Sequence, residues 1–62
     1  MNRKQMYDKI IKELGHEHKA TIWFISFAEE HPTAEDIKLE NVLTALLDLV
    51  HYATELQNRE QE

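Results

Sequence analysis

The sequence predicts an all-α protein, an antiparallel helical hairpin that dimerises into a four-helix bundle. Three observations lead there. Leu39, Val42, Leu46, Leu49, Ala53 and Leu56 recur at spacings of three and four, as do Tyr7, Ile11, Leu14, His18, Thr21, Ile25 and Ala28, and that alternation places each set on one face of a helix. The only proline, Pro32, separates the two sets and marks a corner. With 62 residues and no cysteine, the chain is one domain, residues 1–62, whose size class normally needs a staple other than a disulfide, and association is the one left open.

The first helix is expected over about residues 2–29. Its seam falters at His18 and Thr21, just after Gly15, so Gly15 is where it kinks or, acting as a C-cap, breaks. One continuous helix is the preferred expectation and two helices the alternative. At the corner, Pro32 disfavours helical backbone at His31. Thr33 can cap a second helix, with Asp36 three residues on in the manner of a capping box, and Glu35 and Asp36 suit the positive end of its dipole. That helix is expected over about residues 34–60.

Two helices do not use up the apolar residues. Leu43, Leu47 and Val50 lie beside the seam of the second helix, and Ile10, Ile22, Trp23, Phe24 and Phe27 lie beside that of the first. A wide apolar stripe of this kind is the mark of a bundle helix, so Ala20, Trp23, Phe24, Phe27, Leu43, Leu47 and Val50 are the candidate protein interface. The aromatic group at residues 23–27 is rimmed by Lys19, Glu29 and Glu30, which suits either a dimer core or a surface for another protein.

Charge narrows the partner classes. Residues 1–30 hold five basic and five acidic side chains, whereas residues 31–62 hold two basic and seven acidic, within a net charge of −5. The acidic half repels phosphate backbones, so nucleic acid is disfavoured and any contact with it is confined to the first half. The longest nearly apolar stretch, Thr21–Ala28, is far short of the roughly 20 residues of a membrane span. A soluble, cytoplasmic protein without a signal peptide is expected, with no membrane contact.

Four histidines, His16, His18, His31 and His51, raise the question of metal. Glu13 with His16 and Asp48 with His51 each share a helix face, but a carboxylate-bridged metal site needs further inward carboxylates. No metal and no cofactor is expected. His16 and His18 are the candidates for metal- or pH-linked assembly near a dimer axis, His18 because it falls on the inner seam.

Lys9, Lys12, His16 and Lys19 share a face of the first helix with Gln5 and Trp23, a basic stripe ending in an aromatic. In hairpin pattern and length the chain resembles the Rop-like RNA-binding helical-hairpin dimers. That resemblance implies RNA contact through those four residues, and a face knitted by pairs such as Asp8 with Lys12 is the alternative. Catalysis finds no support: Ser26 and the threonines stand beside no base-and-orienter pair, and no glycine-rich phosphate loop is present. The expected function is a non-enzymatic protein–protein interaction module, a homodimeric regulator, inhibitor or adaptor.

Overall fold

The computed structural model describes residues 1–60 and contains three helices, α1 (Arg3–Leu14), α2 (Lys19–Glu30) and α3 (Asp36–Glu60). The chain is all-helical as expected, but the expected long first helix is two helices and the hairpin is a three-helix fold. Gly15 decides this. Its φ of 90° is closed to most L-residues, and its N–H donates to the Ile11 carbonyl at 2.7 Å to close α1.

Each helix end has a chemical cause. Asn2 caps α1 by accepting from the Gln5 N–H at 2.8 Å, while the Gln5 side chain accepts from the Asn2 N–H at 2.9 Å, a reciprocal capping box. His18 caps α2, its Nδ1 accepting from the Ala20 N–H at 3.0 Å. His18 is therefore an exposed cap and not an inner-seam residue. The corner is a turn in which the Ala34 N–H donates to the His31 carbonyl at 3.1 Å, with Pro32 at the position where its fixed φ suits the turn. This turn holds Thr33, so α3 starts at Asp36 and the Glu35 carbonyl, not a Thr33 cap, opens it by accepting from Lys38 and Leu39.

Met1 meets Glu40 through its terminal ammonium at 3.1 Å, and Glu13 lies 3.9 Å from His51. α1 and α3 therefore run parallel and in direct contact, and α2 returns antiparallel, packed against both. The core is Met6 and Ile10 of α1, Phe24 and Ala28 of α2, and Leu39, Leu43 and Leu47 of α3. Tyr7 supports it edge-on to Phe24 at 6.3 Å between ring centres. The buried stripe of α3 thus runs at spacings of four through Leu43 and Leu47, beside the expected seam. Val42 and Leu46 are half-buried, and Leu49, Ala53 and Leu56 are exposed.

Leu49 is exposed by the face it occupies, since Glu13 of α1 reaches His51 beyond it, and helix length explains the exposure further on. At 1.5 Å per residue α3 is about 37 Å long against about 18 Å for α1 or α2, so among the described residues no helix lies beside its C-terminal part. The molecule measures 44 × 20 × 17 Å, and every residue from His51 to Arg59 is exposed.

Candidate functional site

Breaking the first helix divides the expected interface. Phe24, Leu43 and Leu47 are buried in the chain's own core, because α2 folds back and fills the space that a second copy was expected to occupy. They are unavailable to a partner in this fold. Ala20, Phe27 and Val50 are half-buried, and Trp23 is exposed by 50%.

Trp23 heads an aromatic ladder along α2. Its ring stacks on Phe27 at 5.1 Å and 17°, and Phe27 packs on His31 at 4.5 Å. The His31 Nδ1 lies 2.9 Å from the Phe27 carbonyl, which fixes the last ring to the helix end. The place of His31 in this ladder was missed by the sequence reading, although its spacing of four from Phe27, and of Phe27 from Trp23, carries the signal.

Beside the ladder, Lys19, Trp23, Ser26 and Glu30 follow one another at spacings of four, three and four, and all are exposed. Ile22 and Glu29 flank this stripe and are exposed as well. A second apolar stripe lies on α3, where Ala45, Leu49, Tyr52 and Leu56 share a face. Leu49 is exposed by 66% and Tyr52 by 61%. Side chains of this size scattered singly are ordinary, but a run at helical spacing is a continuous apolar strip.

The candidate RNA residues are distributed over two helices and the turn between them. Lys9 and Lys12 are on the surface of α1 beside Asp8 and Glu13, so two acids accompany the two bases. His16 lies in the turn after Gly15 and Lys19 opens α2. The likeness to helical-hairpin dimers rested on two long helices, and with three it loses its structural basis.

His16 and His18 are exposed and line the turn between α1 and α2 with Leu14, Gly15 and Glu17. Among the described residues, no three histidine, cysteine or acidic side chains are grouped so as to hold a metal ion. The structure does bring His51 to Glu13. They border a small cleft of about 160 Å³ with Lys9, Thr44, Leu47 and Asp48. Two reversals, after Leu14 and at Pro32, make α1 and α3 parallel, and that course makes these residues neighbours.

Compared with protein-family models, with curated proteins and with solved structures, the chain matches none. Among the described residues no helix is long and apolar enough to cross a membrane. The surface features that remain are the aromatic edge of α2 and the projecting end of α3.

Proposed function

We propose that this protein is a non-enzymatic protein–protein interaction module that works as a cytoplasmic homodimer, a small regulator, inhibitor or adaptor. One observation carries the reading: α3 outruns the helices that support it and bears Leu49, Tyr52 and Leu56 on one exposed face. Water gives that arm no reason to carry leucine. A helix face with anchors at spacings of three and four fits an apolar groove on a partner protein. The acidic excess of the second half of the chain, seven acids to two bases, fits a groove with a basic rim.

Two measurements test this reading. Sedimentation equilibrium over a dilution series is expected to give twice the chain mass at high concentration and a falling mass on dilution. A chain mass at every concentration would remove the dimer. For the arm, wild type and a Leu49→Asp, Leu56→Asp variant are compared as baits in native extract. A protein held by wild type and lost by the variant is then purified and titrated directly. Identical profiles for the two baits would remove the arm as a binding element.

A further inference from the structure

Helix α2 carries its charges the wrong way round. A helix dipole favours acids at the N-terminus and bases at the C-terminus, yet α2 opens on Lys19 and closes on Glu29 and Glu30, with no acid in its first turn and no base in its last. Within the chain Arg3 of α1 answers the C-terminal carbonyls of α2 at Ala28 and His31, but among the described residues the close contacts between ionisable groups, Met1 with Glu40, Arg59 with Glu55 and His51 with Glu13, leave Lys19, Glu29 and Glu30 out. The pattern costs α2 stability as an isolated element. It becomes favourable when a second α2 lies antiparallel beside the first.

The exposed stripe of α2 reads Lys19, Trp23, Ser26, Glu30, and it is self-complementary under reversal. Turned end to end about the midpoint between Trp23 and Ser26, Lys19 faces Glu30 and Trp23 faces Ser26, twice over. A two-fold axis demands this: one patch has to match itself. Charge meets opposite charge, and the largest side chain meets a small one. Each Glu30 also arrives at the positive N-terminal end of the opposite helix, and each Lys19 at its negative end.

We infer that two copies of this chain pair through α2, antiparallel, with Lys19 against the partner's Glu30 and Trp23 seated over the partner's Ser26. This inference rests on the homodimer proposed above and specifies its contact. The aromatic ladder supports it, since stacking on Phe27, itself packed on His31, holds Trp23 in one orientation along the edge of α2, and a preordered aromatic loses little freedom on being covered. The contact is short, as α2 has 12 residues, so the dimer is weak and salt-sensitive, with charge contributing to its specificity.

Charge reversal tests the pairing. Lys19→Glu and Glu30→Lys each set like charges face to face, and each is expected to raise the dimer dissociation constant by about tenfold. Mixing the two variants in equal amounts restores every facing pair in the heterodimer and is expected to return affinity to the wild-type level. Both substitutions agree with the helix dipole, so helix content is preserved and loss of folding does not imitate the result. Trp23, the only tryptophan, gives a second readout: its emission shifts to the blue and its iodide quenching falls as wild type associates.

The outcomes separate cleanly. If each single variant associates as wild type does, or if the mixture associates no better than either variant alone, the α2 pairing is wrong while the homodimer stands. If wild type is monomeric at all concentrations, the homodimer fails and this contact with it.

Discussion

The Arg3 guanidinium of α1 donates a hydrogen bond to the Ala28 carbonyl in the last turn of α2. It also reaches the His31 carbonyl and, at 3.4 Å, that of Ala34. One side chain thus adds a charged donor to the carbonyls of a helix end and of the turn after it, a task that α2 lacks a base of its own to perform. Arg3→Ala is expected to lower the unfolding free energy by about 2 kcal/mol, the scale of hydrogen bonds from a charged donor. Arg3→Lys is expected to recover less than half of that, because a single ammonium cannot span carbonyls that the planar fork reaches together. Urea unfolding of the three proteins checks both, and equal stability of Arg3→Ala and wild type would show that the contact does not stabilise the fold.

Thr21 is the polar member of the core, 1% exposed, and among the described residues its Oγ1 has no hydrogen-bond partner. Thr21→Val keeps the shape and removes the orphan hydroxyl, so it is expected to stabilise by about 1 kcal/mol. Thermal unfolding reads the gain. A drop in melting temperature would show that the hydroxyl finds a partner in solution.

Gly15 has open space where a Cβ would go, since nothing lies within 4 Å of it. The cost of Gly15→Ala is therefore one of backbone alone. With φ 90° and ψ 161° the residue occupies a region nearly reserved for glycine, and the substitution is expected to cost about 1–3 kcal/mol. A synthetic chain with D-alanine at position 15, whose allowed angles are the mirror image, is expected to be at least as stable as wild type. Equal stability of the L- and D-alanine chains would rule out this account of the turn.

His18 is a weak choice of cap. Asparagine, aspartate and serine lead at this position, and aspartate adds a charge that suits the helix N-terminus. His18→Asp is expected to raise the unfolding free energy by about 0.5–1 kcal/mol, and His18→Ala to lower it by a similar amount. Helix content by circular dichroism and urea midpoints distinguish the two directions.

Much of the helical content was legible from spacing, because burial repeats along a helix with the period of the helix. α3 and its corner at Pro32 came from that signal, although Thr33 looked like the cap when a turn bond between His31 and Ala34 claims it. The candidate interface was only partly legible. Periodicity gave the exposed Trp23 of α2, but it could not tell which neighbour would cover Phe24, Leu43 and Leu47.

By itself the sequence determined which residues favour helix, where the acidic excess lies, and that more apolar side chains are present than a two-helix hairpin can cover. Tertiary structure decided how that excess is met. A kinked helix and a broken one differ locally by little more than the backbone angles of Gly15, and spacing is silent between them. The break wins because it returns Phe24 and Ala28 onto Met6, Ile10, Leu39 and Leu43, burying within one chain what a straight helix would leave in water. The apolar strip of α3 stays uncovered for two reasons: Leu49 lies on the face turned away from α1, which reaches His51 through Glu13, and Leu56 lies beyond the end of α1.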